Sequence, residues 1–363
     1  MKVLVVTFSD VAFDGRLREL IRVCRMLGPV TVLERKVLMV IEDSQSQRQL
    51  PLKYYCSIHK AKQFYREKGP FDIILADNRL ALLPSYFIKR MDPNVFLVSD
   101  ARELYLMHDV KGLSSKIGCI VERFVLPRSN AVIAANIFRA QFMENFYKLK
   151  SPVLIYENLR KLSFGNKTPK DFENTKLAKI FDTEKINVIS TSGCLITRGN
   201  DQLVYAMKDF QSEAHLFLIG RSPDQDVTRI RRIIQENNIG NVTIIDQVDE
   251  ATLKYILSRS HIGVVNYHQN DLNNQFCASG KIYEYLFEGL PVLTTRNPPL
   301  RELVELNALG VADDHYTQGL RCLIDHFSEF KKSVIAYTEC VSIDNNNLKL
   351  AESIRERIGV RKK

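Results

Sequence analysis

Residues 279–295, SGKIYEYLFEGLPVLTT, decide the fold, because this stretch contains a complete transition from a helix to a strand. Residues 281–288 have helical spacing, Gly289 stands where a left-handed helix C-cap is needed, and Pro291 prevents the helix from continuing. The β-branched run at 292–295 then predicts a buried strand. A short helix that leads directly into a buried strand is typical of a parallel α/β sheet.

The predicted helix has one polar face, formed by Lys281, Glu284 and Glu288, and one apolar face that contains Ile282 and Leu286. The two glutamates are four residues apart, a spacing that is mildly unfavourable on a solvated helix. That cost is easier to accept where Glu284 faces a ligand. A solvated face with a Lys281–Glu284 pair is the alternative interpretation.

Composition predicts a globular cytoplasmic protein of two domains. The chain has 363 residues, of which 45% are hydrophobic and 26% are charged. No apolar run approaches the ~18 residues that a membrane span needs, and the N-terminus reads as a first strand that lacks the features of a signal peptide. Seven scattered cysteines indicate a reducing compartment and argue against a zinc knuckle. The sequence shows no cluster of metal ligands, so we expect no metal, and we expect no cofactor.

The net charge of +9 lies in the first half of the chain. Residues 1–160 contain 25 Lys+Arg and 16 Asp+Glu, whereas residues 161–363 contain 26 of each. No recognition motif for nucleic acid accompanies this charge, so nucleic acid is not expected as a partner. An anionic membrane surface or a phosphate-bearing substrate fits an α/β fold better, and a basic surface without a partner is the alternative.

Strands and helices alternate along the first domain, residues 1–160, which predicts a parallel sheet. Strands are predicted at 2–8, 30–34, 72–76, 95–99, 131–135 and 152–156. Helices are predicted at 16–27, 59–68, 82–91, 116–126 and 137–147, with an exposed loop at 43–53. Only Gly15 supplies glycine after the first strand, so the dinucleotide fingerprint is absent and a NAD-dependent dehydrogenase is not expected.

The alternation restarts in a second domain, residues 186–340, after a polar linker at 161–185 that includes a short helix. Strands are predicted at 186–190, 215–219, 242–245, 262–267 and 292–295. Helices are predicted at 227–237, 251–259, 281–288 and 320–327. A last helix at 345–357, within residues 341–363, is expected to return to the first domain.

The segment KIYEYLFEGLPVL resembles the donor-binding segment of family 4 glycosyltransferases, which are retaining enzymes of the GT-B fold with two facing Rossmann-like domains. In that family the glutamate, here Glu284, takes the ribose hydroxyls of a nucleotide-sugar, and a carboxylate offers paired acceptors to a vicinal diol. The run DGRLRELIRVCRMLGPVTVL at 14–33 is similar to the family's first loop and helix. It places Asp14, Gly15 and Arg16 on the acceptor side.

The stretch VSDARELY at 98–105 is similar to a strand end where many relatives carry a histidine near the reacting sugar. This chain has Arg102 there, next to Asp100. Arginine stays protonated, so we expect Arg102 to position substrate rather than to transfer a proton.

The run SGCLITRGNDQLVYAMK at 192–208 is similar to the family's diphosphate-binding loop. Cys194 replaces the usual arginine, Arg198 stands where a lysine is usual, and Lys281 could supply the missing charge. Phe276 replaces a second glutamate that many relatives have. The resemblance implies these donor-binding residues: Gly193, Arg198, Gly220, Tyr267, Ser279, Lys281 and Glu284. It implies these catalytic residues: Arg102, Asp100, Arg198 and Lys281.

The resemblance implies a retaining, metal-independent glycosyltransferase in cell-surface polysaccharide or glycolipid assembly, on the inner face of the cell membrane. Its donor would be a nucleotide diphosphate-sugar and its acceptor a glycan or a lipid-linked glycan. Two alternatives stay open. One is a nucleotide-sugar epimerase on the same fold. The other is a catalytically silent binding subunit, suggested by Cys194, Arg102 and Phe276.

Overall fold

The computed structural model of this chain describes residues 1–38, 50–173, 175–181 and 184–362. These residues form two compact units, one of Met1–Asn158 with Ile343–Lys363, and one of Leu159–Ser342. Most of the predicted loop at 43–53 lies outside the described residues.

The first unit is built on a parallel sheet, which within the described residues has six strands in the order β2-β1-β3-β4-β5-β6. Its strands are β1 (Val3–Val6), β2 (Val30–Leu33), β3 (Ile73–Asp77), β4 (Phe96–Asp100), β5 (Ala131–Ala134) and β6 (Leu154–Ile155). Every residue of β1, β3, β4 and β5 is buried. Continuous apolar runs of this kind belong to strands that are covered on both faces, as parallel sheets are.

Among the described residues, six α-helices connect these strands: α1 (Gly15–Leu27), α2 (Arg35–Leu38), α3 (Leu50–Lys68), α4 (Asn78–Met91), α5 (Leu113–Val125) and α6 (Ile137–Tyr147). Helix α6 has the predicted bounds. Helix α3 begins at Leu50 rather than at His59, so the end of the predicted loop is helical. Pro51 is tolerated there, because the first turn of a helix does not use its backbone N–H groups internally.

The second unit contains another parallel sheet, with six strands among the described residues in the order β12-β11-β10-β7-β8-β9. Its strands are β7 (Ile186–Ser190), β8 (Ala214–Ile219), β9 (Val242–Ile245), β10 (Ile262–Val265), β11 (Val292–Thr294) and β12 (Gly310–Ala312). Strand β12 was not predicted. It has three residues with a weak strand signal, and it forms as an edge strand through its pairing with β11.

Nine helices of the described residues belong to this unit: α7 (Lys176–Phe181), α8 (Asn200–Ala206), α9 (Asp224–Glu236), α10 (Glu250–Ser258), α11 (Leu272–Gln275), α12 (Gly280–Phe287), α13 (Pro298–Leu306), α14 (Tyr316–Asp325) and α15 (Phe327–Cys340). Gly289 has a φ of 77°, so the predicted left-handed residue after α12 is confirmed. A single 3₁₀ turn, Ile196–Arg198, follows β7.

Residues 161–185, for which the sequence predicts a linker, lie in the second unit. The Phe172 ring stacks on the Tyr255 ring of α10, with 4.8 Å between centroids. Ala178 and Ala251 are buried in the same small cluster. Apolar side chains in this lysine-rich stretch, with Phe164 and Leu177 packed against the same cluster, therefore attach it to the unit.

The last helix, α16 (Ile343–Lys362), belongs to the first unit. Its Leu350, Ala351 and Ile354 are buried in the same core cluster as the inward face of α1. The Tyr156 hydroxyl donates to Asn347 Oδ1 at 2.5 Å, which adds a buried hydrogen bond to the apolar contact.

We expect Ile354→Ala to lower the free energy of unfolding by about 2–4 kcal/mol, because it removes a fully buried side chain and leaves a cavity. Leu348→Ala on the same helix is the control, since Leu348 is exposed and its loss should cost well under 1 kcal/mol. Urea unfolding followed by circular dichroism measures both. Equal effects of the two substitutions would contradict the packing of α16 into this core.

Candidate functional site

The floor of the candidate site is a close approach of two loops, one after β7 and one after β8. Gly193 has a φ of 61°, and its N–H donates to the Ile219 carbonyl at 2.9 Å. A Cβ at position 193 would lie 2.4 Å from Ser222 Oγ and 2.9 Å from the Gly220 carbonyl. Only glycine fits a backbone position that is both left-handed and this crowded. The structure thus brings together Gly193 and Gly220, two of the predicted donor-binding residues.

Polar side chains hold the loop after β7 from below. Asn200 Nδ2 donates to Ser192 Oγ at 2.9 Å and to the Gly193 carbonyl at 2.8 Å. Asn266 Nδ2 donates to Asn200 Oδ1 at 3.0 Å. Cys194, which stands where the resemblance predicts an arginine, is buried in the apolar core of this unit. The loop is therefore preorganised, and its cation has to come from elsewhere.

Helix α12 is fastened to this loop by Tyr285. The Tyr285 hydroxyl accepts from the Thr191 N–H at 2.9 Å and lies 2.8 Å from Thr191 Oγ1. Gly263 on β10 leaves room for the ring, since a Cβ there would lie 2.4 Å from it. Lys281 Nζ also donates to the Thr191 carbonyl, at 2.6 Å. Sequence reasoning missed Tyr285 and Thr191, because only the fold shows that they meet.

Glu284 is 3% exposed, and its carboxylate forms an ion pair with Arg160 Nε at 2.8 Å. Burial raises the pKa of Glu284, while the charges of Arg160 and Lys281 act in the opposite direction. Arg160 was not predicted, because it stands more than 120 residues before Glu284 at the edge of the predicted linker. The Glu284 carboxylate is shielded from water and has one ion pair among the described residues, with Arg160. Its two oxygens can therefore accept further hydrogen bonds.

Arg198 and Ser279 carry polar atoms that lack partners. The Arg198 guanidinium lies over the Tyr267 ring, 3.7 Å from its centroid. Among the described residues, Arg198 Nη1 and Ser279 Oγ are buried without any hydrogen-bond partner. An unsatisfied buried polar group costs about 1–3 kcal/mol, so a ligand that bonded to Arg198 Nη1 and Ser279 Oγ would recover that cost.

Lys281 completes a cationic cluster with Arg198. Burial, opposed by the charge of Glu284 and assisted by the charges of Arg198 and Arg160, lowers the pKa of Lys281 to about 8. Neither Arg198 nor Lys281 has a carboxylate ion pair in the part of the chain that the structure describes. Two cations without a carboxylate ion pair, at the C-terminal edge of a parallel sheet, are suited to an anion such as a diphosphate.

The predicted residues of the first unit form a second charged cluster. Arg102 donates to Asp14, Asp77 and Asp100. Arg16 makes a bidentate pair with Asp100 at 2.7 and 3.1 Å, and Asp14 also caps α1 through the Leu17 N–H. Burial raises the pKa of Asp77 to about 6, against the lowering effect of Arg102.

This arrangement limits what Arg102 can do. Its guanidinium already contacts three carboxylates, and Asp100 is fully enclosed. To bind an acceptor anion, Arg102 would have to exchange one of those partners. Gly15 has ordinary space around its Cα and makes no special demand for glycine. The catalytic roles of Asp100 and Arg102 stay predictions.

No group of three or more His, Cys, Asp or Glu in the described residues is placed to hold a metal ion. Among the same residues, no helix combines the length and apolarity that spanning a bilayer requires.

We expect pyrophosphate binding to weaken about tenfold between pH 7 and pH 9. The reason is that Lys281, with a pKa of about 8, is mostly charged at the lower pH and mostly neutral at the higher. Lys281→Arg should bind with little change over this range, since arginine stays charged. Isothermal titration calorimetry of both proteins measures this. Identical pH profiles for the two proteins would show that Lys281 does not contact the anion.

The chain is similar in structure to several solved proteins of low sequence identity. Sucrose-phosphate synthase from Thermosynechococcus elongatus superposes with a TM-score of 0.72 and 17% identity, covering 99% of each chain. HepE from Anabaena, in a complex with UDP and glucose, gives a TM-score of 0.70 and 13% identity over 98% of this chain and 100% of that one. A UDP-N-acetylglucosamine 2-epimerase gives 0.58 and 12% identity over 93% and 90%.

No protein-family model and no curated protein sequence matches the chain. The sequence identities to the three structures are all below 20%, so the structural similarity shows the fold alone. Membership of family 4 stays a prediction. The predicted fold class is confirmed: the chain has the GT-B fold, with two parallel α/β units of the kind that GT-B glycosyltransferases contain.

Proposed function

We propose that the protein is a retaining glycosyltransferase that moves a sugar from a nucleotide diphosphate-sugar to a glycan or lipid-linked acceptor. The observation that carries this proposal is the cluster of Glu284, Arg198, Lys281 and Ser279 at one sheet edge. It combines a buried carboxylate with two unpaired cations and two orphaned polar atoms.

Each part of the cluster fits one part of such a donor. The Glu284 carboxylate can accept two hydrogen bonds from the vicinal hydroxyls of a ribose. Arg198 Nη1, Ser279 Oγ and the Lys281 ammonium can donate to a diphosphate. HepE, which has the same fold, is described with UDP, so uridine donors are the first to test.

The chemistry that these residues support is electrostatic. As the bond between sugar and diphosphate breaks, negative charge grows on the leaving group, and Arg198, Lys281 and the N-terminus of α12 stabilise it. Such stabilisation requires neither a metal nor a cofactor, and we propose that none is used. The acceptor would bind against Asp14, Gly15 and Arg16 of the first unit. Arg102 would position it, and Asp100 is buried beside Arg102.

Two other functions use the same fold or the same site. A nucleotide-sugar epimerase is supported by the fold likeness to UDP-N-acetylglucosamine 2-epimerase, and it would convert its substrate without an acceptor. A silent binding subunit is supported by the buried Cys194 and by the three carboxylates that occupy Arg102. Calorimetry with UDP-, GDP-, dTDP- and ADP-sugars tests the silent subunit, which the absence of any binding would favour. Conversion of the sugar without an acceptor would identify the epimerase.

Glu284→Ala is the decisive substitution, and we expect it to weaken binding of the preferred nucleotide-sugar at least tenfold. Two hydrogen bonds to a charged acceptor are worth about 1.5–3 kcal/mol each, and about 1.4 kcal/mol already gives a tenfold change. Glu284→Gln keeps the shape of the side chain and part of its capacity to accept hydrogen bonds. Its affinity for the nucleotide-sugar should therefore lie between those of the parent protein and Glu284→Ala. Calorimetric titration measures all three proteins.

Glu288→Gln is the matched control, because Glu288 ends the same helix and has its own cation partner, Lys254. The sequence places Glu288 near solvent, but its side chain is 10% exposed, so glutamine is a safer control than alanine. Donor affinity should be unchanged in this variant. If Glu284→Ala binds donor as well as the parent protein does, α12 is a structural element only.

We further propose that the basic first half of the chain attaches the protein to anionic membrane on the cytoplasmic side. Its 25 Lys+Arg against 16 Asp+Glu predict attraction that is screened over ~8 Å at physiological salt. Sedimentation with anionic liposomes should therefore fall as salt rises, and neutral liposomes should bind weakly at every salt concentration. Equal binding to both kinds of liposome would exclude an electrostatic contact.

A further inference from the structure

An apolar groove in the first unit is separate from both charged clusters. It encloses about 610 Å³ between the segment after β4, helix α5 and the end of α6, and is called the α5 groove below. Its walls are formed mainly by Tyr105, Met107, Ile120, Phe124, Phe146 and Tyr147. This volume is within the range of cavities that bind small ligands.

The α5 groove exposes apolar side chains to solvent. Met107, Ile120, Phe124 and Phe146 are all large, apolar and exposed. Phe146 stacks on Phe142, and Phe124 packs edge-on against Tyr86, so these rings are held in place rather than free to collapse into the groove. A contiguous exposed apolar surface of this kind marks a binding site rather than ordinary surface.

Two arginines line the same groove. Arg123 lies over the Phe146 ring at 5.8 Å from its centroid, and Arg128 lies over the Phe124 ring at 4.1 Å. Neither guanidinium has a carboxylate partner within the described residues, although Arg128 Nη1 donates to the Phe124 carbonyl. Residues 105–150 carry seven Lys+Arg and three Asp+Glu, a net charge of +4. The occupant should therefore have an apolar body and an anionic end.

We propose that the α5 groove binds the alkyl chain of a phosphate-bearing lipid, with Arg123 and Arg128 contacting the phosphate. A guanidinium suits a phosphate because its planar donors match two oxygens at once. A second copy of this chain is a poorer occupant, since a symmetric dimer would bring the same unpaired arginines against each other. An uncharged apolar peptide would leave both arginines without a partner.

The position of the groove connects it with the acceptor side. Tyr105 is three residues after Arg102, so their Cα atoms lie at most ~11 Å apart. The groove thus begins close to Arg102 in the chain, on the acceptor side of the first unit. Lipid binding in the α5 groove would narrow the acceptor class to phosphate-bearing lipids. This identification of the acceptor rests on the proposed transferase function.

Calorimetric titration with decyl phosphate, below its micelle concentration, tests the groove directly. The parent protein should bind decyl phosphate saturably, and octyl phosphate up to about 15-fold more weakly, because each buried methylene contributes up to about fourfold. Inorganic phosphate should not bind measurably at this site. Ile120→Gln should weaken decyl phosphate binding at least tenfold, and because Ile120 is exposed the variant should fold normally.

The arginines are tested by Arg123→Gln with Arg128→Gln. This double variant should lose at least tenfold in affinity for decyl phosphate and keep its affinity for the uncharged decyl maltoside. Arg25→Gln is the matched control, because Arg25 is an exposed arginine at the end of α1 in the same unit, and no change is expected.

Several outcomes would overturn the assignment: no saturable binding by the parent protein, unchanged binding by Ile120→Gln, or a concentration-dependent dimer that Ile120→Gln abolishes. No nucleotide-sugar enters this experiment, so its failure is distinct from that of the proposed function. Donor binding without decyl phosphate binding would overturn the groove alone. Decyl phosphate binding without binding of any donor would overturn the transferase proposal and leave the groove as a lipid site.

Discussion

The hydrogen bonds between the Tyr285 hydroxyl and Thr191 hold the candidate donor site together. They fix helix α12 against the loop after β7. The Tyr285 ring is fully buried and fits only because Gly263, which it packs against, has no side chain. Buried hydrogen bonds in an apolar setting are costly to break, so the helix and the loop behave as one element. That contact also positions Lys281 and Glu284. Lys281 lies one helical turn before Tyr285, and Glu284 is next to it in the chain.

The two charged clusters differ in a way that separates their roles. In the second unit, Arg198 and Lys281 lack carboxylate ion pairs, and polar atoms are left without partners among the described residues. In the first unit, Arg16 and Arg102 are matched by Asp14, Asp77 and Asp100. The cluster of the second unit has polar atoms that a ligand could bond to, whereas the charges of the first unit's cluster are paired within the protein. The second unit therefore has the stronger claim to bind a charged small molecule.

Aromatic rings support cations in both units, with different consequences. Tyr267 lies beneath Arg198 in the loop that follows β10, which holds a guanidinium whose Nη1 has no partner in the described part of the chain. Phe124 and Phe146 lie beneath Arg128 and Arg123 along an open apolar surface. A cation over a ring keeps its donors available at the edge of the guanidinium plane. The contacts thus position charge without neutralising it.

The sequence by itself determined the alternation of strands and helices, the left-handed Gly289, and the helix that carries Glu284. These features follow from local rules: continuous apolar runs for buried strands, helical spacing for α12, and the backbone freedom of glycine. For that reason the bounds of β7, β9 and α6 agree with their prediction. The resemblance of 281–293 to a donor-binding segment likewise depended on residues that are adjacent in the chain.

Only the tertiary structure decided which charges meet. Arg160 pairs with Glu284, and Lys254 pairs with Glu288. Three aspartates, at the ends of β3 and β4 and at the start of α1, converge on Arg102. No periodic pattern in the sequence predicts these pairs, because most of the partners lie far apart in the chain and only the fold brings them together. Strand β12 and the attachment of residues 161–185 also depend on neighbours supplied by the fold. Local pattern therefore predicts the elements, and long-range packing decides which side chains form a site.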